Sequence, residues 1–283
     1  MDYLISGLQV GLIYVLLSFG IFLIYRTTRI LNFAHGDIAT LGTFIALTLH
    51  QKTENLLISV VVGAFCSGVV SMLFYRFIIY EGERRGVNPL GLTIITIAFA
   101  YILQSFEIVI WGAEPKDFPS LAYGRFFIFP AQFVVILLVS LFLMLGMYFI
   151  TMKTNFGIQI RAISQNREAS ATLGISVKKV VSFVWFIASF IGAIAGSLIA
   201  PLYFVDQFFL FDPFVKSFIG AVVGGLDNPF GVVIGSIIVG LAENIFGGYI
   251  SIKFKTAFVF FIALVFLLIK PEGLLGREIK ERV

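Results

Sequence analysis

Apolar runs of about twenty residues follow one another along this chain, and they limit its possible folds more than any other feature. They lie at Tyr3–Tyr25, Ile30–Leu49, Leu56–Ile79, Leu90–Trp111, Ala131–Met152, Val180–Tyr203, an interrupted Phe214–Ile250 and Phe254–Ile269. A bilayer core of roughly 30 Å takes about 20 helical residues to cross. The chain has 283 residues, 59% apolar and 13% charged, with a mean hydropathy of +1.01. A soluble globule cannot hide that much apolar surface. In lipid each backbone N–H and C=O needs a partner within the protein, so the runs are expected to be helices. A membrane barrel would alternate apolar and polar residues with period two, and these runs are continuous. The expected fold class is all-α: a polytopic helical bundle of about eight transmembrane segments, one of them broken or re-entrant, forming one domain over residues 1–283.

The net charge of +4 and the pI near 9.1 do not point to nucleic acid, because the basic residues sit between apolar runs. Arg26 and Arg29, then Arg76, Arg84 and Arg85, then Lys153, Arg161, Arg167, Lys178 and Lys179 fill the odd-numbered connections. Lys52, then Lys116 and Arg125, then Lys216 fill the even ones through the sixth, and Lys253 and Lys255 lie in the seventh, where the pattern holds only if Phe214–Ile250 does not cross just once. The positive-inside rule makes the odd connections cytoplasmic and the N-terminus external. Phe214–Ile250 is broken at Gly224-Gly225-Leu226-Asp227-Asn228-Pro229. A hairpin or half-helix there returns Lys270, Arg277, Lys280 and Arg282 to the cytoplasm, giving 14 basic residues inside and 6 outside. Tyr3–Tyr25 is too long for a cleavable signal core and reads as a retained anchor. Cys66 has no partner cysteine.

Two segments carry the chemistry. The connection Lys153–Lys179 holds a short helix signal: Asn166 as N-cap, Glu168 in the first turn, Gly174 as the stop. Ala169, Ala171, Thr172 and Leu173 give it a small face. So short a helix needs something to dock on, either headgroups or a partner protein. The second segment is Asn32-Phe33-Ala34-His35-Gly36-Asp37, whose polar groups mark either the headgroup-level entry to a helix or a polar cavity. The pairs Gly192/Gly196, Gly220/Gly224 and Gly231/Gly235 suit close helix packing. Gln104, Glu107, Glu243 and Asn244 read as isolated intramembrane polar groups, satisfied by neighbouring helices and forming no relay.

The sequence contains no G-x-x-x-x-G-K-S/T phosphate loop, no H-E-x-x-H and no G-x-S-x-G elbow, and its histidines are His35 and His50. Neither a catalytic residue nor a metal site is expected. A membrane enzyme or a sensory subunit would need polar groups gathered at one depth or an added signalling domain.

The Gly7-Leu8-x-x-Gly11-x-x-Tyr14 opening with Asn32-Phe33-Ala34-His35-Gly36 resembles the permeases of prokaryotic ABC importers, specifically the branched-chain amino-acid (Liv-type) group. So does Arg161-Ala162-Ile163-x-x-Asn166-x-Glu168-Ala169-Ser170-x-x-x-Gly174, with Ser170 in place of the second alanine of an E-A-A-x-x-x-G pattern. The break at Gly224–Gly231 and the tail Lys270-Pro271-Glu272-Gly273-Leu274-Leu275-Gly276-Arg277 agree with it. The resemblance implies a transport subunit of a multi-pass protein in the cytoplasmic (inner) membrane, importing branched-chain or similar hydrophobic amino acids. It implies Arg161, Ala162, Asn166, Glu168, Ala169, Ser170, Leu173 and Gly174 as the ATPase-coupling loop. Asn32, His35, Gly36 and Asp37 are the candidates for the translocation path. The implied partners are a second permease, identical or homologous, two cytoplasmic ATPases that bind ATP and Mg, and an external binding protein. This chain itself would hold no cofactor. The outer loop Gly112–Pro130, with Glu114, Lys116, Asp117 and Arg125, is expected to meet the binding protein. Urea or a short amide is the alternative substrate on the same scaffold.

Overall fold

The computed structural model describes residues 2–127 and 129–276 and is almost wholly helical. The long helices are α1 (Asp2–Thr28), α2 (His35–Thr53), α3 (Leu56–Phe74), α5 (Pro89–Trp111), α6 (Ala131–Lys153), α9 (Val177–Ile199) and α11 (Pro229–Tyr249). α3 runs on through a π-helical turn (Tyr75–Ile79) into α4 (Tyr80–Arg84), five residues beyond the expected end at Ile79. The shorter helices are α7 (Asn155–Gln165), α8 (Arg167–Thr172), α10 (Phe211–Gly224) and α12 (Lys255–Ile269). A two-residue hairpin pairs β1 (Arg125–Phe126) with β2 (Phe129–Pro130) in the loop before α6. Among the described residues six helices are long and apolar enough to cross a membrane. The remaining two of the eight expected segments hold α2, which begins inside the bundle, and α12, 15 residues long; α10, 14 residues long, is the first arm of the interrupted segment that α11 completes.

The core sits around α1 and α9. Buried residues make up 89% of the most apolar window of α1 but only 22% of that of α6, so α1 is the central helix and α6 a peripheral one. Hydropathy alone cannot tell these two apart, because both helices are apolar on every face. Val109 on α5 and Phe142 on α6 are among the side chains left facing outward.

Lipid provides little hydrophobic force between helices, so close backbone approach and polar contacts must hold them together. Glycines supply the approach. Gly7 and Gly11 of α1 lie against Leu241 and Ile237 of α11, and a Cβ at Gly240 would overlap Gly11. Gly220 meets Ser236, and Gly224 meets Gly231, where α10 and α11 cross. The three glycine pairs singled out in the sequence therefore all lie at helix contacts, with Gly192 against His35 and Gly196 against Thr43.

The long stretch Phe214–Ile250 is a helical hairpin. Gly225, at φ +104, ends α10, and Asn228 caps α11 by accepting hydrogen bonds from Phe230 N (3.0 Å) and Gly231 N (3.4 Å). The tail satisfies carbonyls that the end of α10 leaves free: Leu274 N donates to Val223 O (2.8 Å) and Leu275 N to Gly224 O (3.1 Å). Arg277, Lys280 and Arg282 lie outside the described residues. The three basic connections expected on one side, with the described part of the tail, gather at one end of the bundle. There Arg29 pairs with Asp227 (3.0 Å), Arg167 with Glu83, and the tail seals the α10–α11 turn. At the other end Tyr3 packs on Tyr249, and Lys116 bridges Val205 through its backbone.

Gly240→Leu should destabilise the protein by roughly 1–3 kcal/mol, because the α1–α11 contact has no room for a side chain. Gly146→Leu, which would point into open space, should be silent. Thermal unfolding of the detergent-solubilised protein would show the difference.

Candidate functional site

The polar hexapeptide lies in an interruption between two helices. α1 ends with Arg29 in the left-handed region (φ 58), its N–H donating to Tyr25 O. The chain then turns back into the bundle, and α2 starts only at His35, five residues after the expected start at Ile30. The His35 ring packs against Gly20 and Gly192. Gly20 precedes the end of α1 by eight residues, so α2 begins about 12 Å inside that end. Asn32 shapes the entry: its side-chain carbonyl accepts from Ala34 N (3.2 Å), and its backbone O accepts from His35 N (3.3 Å). Gly36 is needed where α2 meets α10, because a Cβ there would press on Phe214. Phe33 N donates to Thr96 on α5 (3.0 Å), and Gln104 donates to Asp37 (2.7 Å). Asn32 Nδ2 is buried without a protein partner beside a narrow crevice formed by Ile21, Phe33, Phe214 and Phe218. Both oxygens of Glu107, one turn beyond Gln104, are likewise buried without a partner. The structure thus brings the four sequence-selected residues to one buried helix start, beside α9 and α10.

A second polar centre lies near the middle of α1. Lys216 on α10, 1% exposed, donates to Glu243 on α11 (2.6 Å) and to Asp212 (2.5 Å). Glu243 also accepts from Tyr14 on α1 (2.7 Å) and pairs with Lys255 of α12 at 3.2 Å. Two positive and two negative groups from three helices, with Tyr14 from a fourth, make a neutral cluster. A buried charge away from water is tolerated only when it is paired in this way. Glu243 is therefore not isolated, contrary to the sequence expectation, and Lys216 is not a loop residue to be counted by the positive-inside rule. The available signal was a lysine inside an apolar run, 27 residues before a glutamate in the same run. The cluster opens on one side, where the Asp212 side chain is 54% exposed.

The third element is the arm at the basic end. Thr154 caps α7 by accepting from Gly157 N (3.2 Å), and Arg161 hydrogen-bonds back to Thr151 O, fixing a sharp corner after α6. Asn166 caps α8, accepting from Ala169 N at 2.9 Å. Gly174, at φ +85, follows the helix, so the two-turn helix predicted from the sequence is present. Ser170 points inward and bonds to Asn166 O, while Glu168, Ala169, Ala171 and Thr172 are exposed and Leu173 is 81% exposed. Ala162 belongs to α7, where its carbonyl accepts from Asn166 N (3.0 Å). Sequence reasoning missed both α7 and the group that tethers α8. Arg167 makes a two-pronged pair with Glu83 (2.7 and 2.9 Å) and donates to Tyr75 Oη (3.1 Å). Burial works against its charge, but the hydrogen bonds and charge of Glu83 outweigh that and hold the guanidinium above its ordinary pKa.

In the outer loop Glu114, Asp117 and Arg125 are exposed. Asp117 lies with His50 and Tyr123 on an open cleft of about 450 Å³.

A family model described as "Branched-chain amino acid transport system / permease component" matches residues 3–269. The chain is 30% identical over 292 residues to the "Probable branched-chain amino acid transport permease protein LivH" of Methanocaldococcus jannaschii, covering 94% of this chain and 90% of that one. It is 26% identical over 301 residues to the "High-affinity branched-chain amino acid transport system permease protein LivH" of Escherichia coli, covering 100% and 97%. It is 25% identical over 300 residues to the corresponding BraD permease of Pseudomonas aeruginosa, covering 100% and 98%. No solved structure gives a significant match.

Lys216→Met should cost about 3 kcal/mol by removing the main counter-charge of buried Glu243. The double variant Lys216→Met/Glu243→Met should be more stable than either single one, since the remaining Asp212 and Lys255 reach solvent. A cycle of unfolding midpoints tests this.

Proposed function

The chain belongs to the family of branched-chain amino acid transport permease components, and from that premise we propose that it is the membrane-spanning subunit of an ATP-driven importer for branched-chain amino acids. The observation that carries the coupling half of this reading is α8. It is a capped two-turn helix with no core of its own, held out at the basic end with Leu173 in the open. A helix this short is not stable by itself, so its exposed small face fits a docking peg for a separate protein. The chain has no phosphate loop, so the energy would come from two cytoplasmic ATPases that hold ATP and Mg.

In this mechanism the ATPase pair closes around ATP and pushes the α8 pegs of two permeases toward each other. The helices of each permease then rock between outward and inward access. The second permease is identical to this chain or a homologue, and the whole of this chain acts as one permease domain in the cytoplasmic membrane. An external binding protein delivers substrate to the Glu114–Arg125 loop. The translocation path runs past the start of α2. There Asn32 Nδ2 lacks a protein partner, which supports a role for Asn32, His35, Gly36 and Asp37 in passing on a polar solute. Irregular backbone at membrane depth is tolerated where it is buried in protein or lines such a path. The full-length relatives named above are branched-chain amino acid permeases, which favours that substrate class over urea or a short amide.

The complex in vesicles, with its ATPases, second permease and binding protein, should hydrolyse ATP faster with leucine, isoleucine or valine than with urea. Glu168→Arg and Gly174→Leu should abolish uptake and substrate-stimulated hydrolysis while the protein is still made and inserted. Uptake at the normal rate in both variants would defeat the assignment.

A further inference from the structure

α8 hangs on the chain between α7 and α9, so a push on it would be expected to pass into α6 and α9. The side-chain contacts lead elsewhere. Arg167, the first residue of α8, grips Glu83 with both arms of its guanidinium. Glu83 lies on α4, which continues α3 through the π-helical turn, and Tyr75 Oη donates to the same carboxylate (3.1 Å). The pair is mostly sheltered, with side-chain exposures of 32% and 13%. A bidentate arginine–carboxylate contact fixes direction as well as distance. A second hold lies beside it: Lys178, at the start of α9, sits 4.5 Å over the ring of Tyr80.

Between Glu83 and the body of α3 lies the π-helical turn Tyr75–Ile79, a widened turn within one continuous helical run. Tyr75 is fully buried, its ring 5.4 Å from Trp185 on α9. Further along the same run, Ser67 Oγ donates to Ile38 O on α2 (2.8 Å) and to Ser189 O on α9 (3.2 Å). Ile38 is three residues from His35, in the first turn of the helix that begins inside the bundle.

We propose that Glu83 and Tyr75 are positioning residues that transmit movement of α8 into the third span, and through it to the start of α2. The inference rests on the reading of α8 as the ATPase peg. Neither residue touches ATPase or substrate; both act through Arg167. The Arg167–Glu83 connection runs side chain to side chain, a second route beside the covalent one from α8 to α9 through the turn at Gly174.

The test uses the complete complex in vesicles, with tritiated leucine as the probe. Glu83→Gln should lower uptake about tenfold, in the range of a coupling energy between sites. ATP hydrolysis and retention of the ATPases should persist, so that transport is uncoupled from hydrolysis. Tyr75→Phe should do the same to a lesser degree. The exchange Glu83→Arg with Arg167→Glu should restore much of the uptake that either change alone removes, which a loss of folding would not show. Wild-type uptake by Glu83→Gln overturns the proposal. So does an exchange no better than its single variants, or loss of the ATPases from the Glu83→Gln complex, which would make the pair a mere support for docking. Failure of the underlying reading looks different: there Glu168→Arg leaves uptake and ATPase retention unchanged.

Discussion

Where a helix stops inside an apolar bundle, the backbone groups it frees must find partners within the protein, and the rest of this structure is arranged around that demand. The chain interrupts its helices before α2, inside the bundle, and between α10 and α11, at the basic end. At the first break the Asn32 side chain accepts from Ala34 N just ahead of α2; at the second Asn228 caps α11, accepting from Phe230 N and Gly231 N. The tail accepts the task at the end of α10, donating from Leu274 and Leu275. Glycines at the same places let neighbouring backbones come close enough to cover what remains. Removing the Asn32 side chain would leave the buried Ala34 N–H without that acceptor.

Charge is handled by the same logic. Lys216 and Glu243 are almost fully buried, and each would be costly alone. Together with Asp212, Lys255 and Tyr14 they form a neutral knot joining α1, α10, α11 and α12. That knot and the glycine contacts of α1 with α11 hold α1, α10, α11 and α12 together. α2, α3 and α9 are joined through Ser67, which bonds to both of its neighbours, and α1 packs on α9 in the same core. The arm of α7 and α8 is fastened to α4 by Arg167.

Much of this was legible in the residues. The helical class, the short capped helix after Asn166, the break at Gly224–Pro229 and the packing role of the glycine pairs all follow from local chemistry: caps, left-handed glycines and apolar length. The errors share one cause. Ile30–Ala34 is apolar enough to read as helix, yet it is an irregular connection ending in a turn, because Arg29 leaves α1 in the left-handed region and Asn32 turns the chain. Lys216 read as a loop charge because its partner lies 27 residues away.

Sequence alone settled the solvent of this chain, the helical answer to that solvent and the family it belongs to, since each depends on the kind and order of side chains along the chain. Only the tertiary structure decided which helix is central, where the charges inside the membrane neutralise one another and which span Arg167 holds. Those are pairings between distant residues, and their energies exist only once the helices have packed.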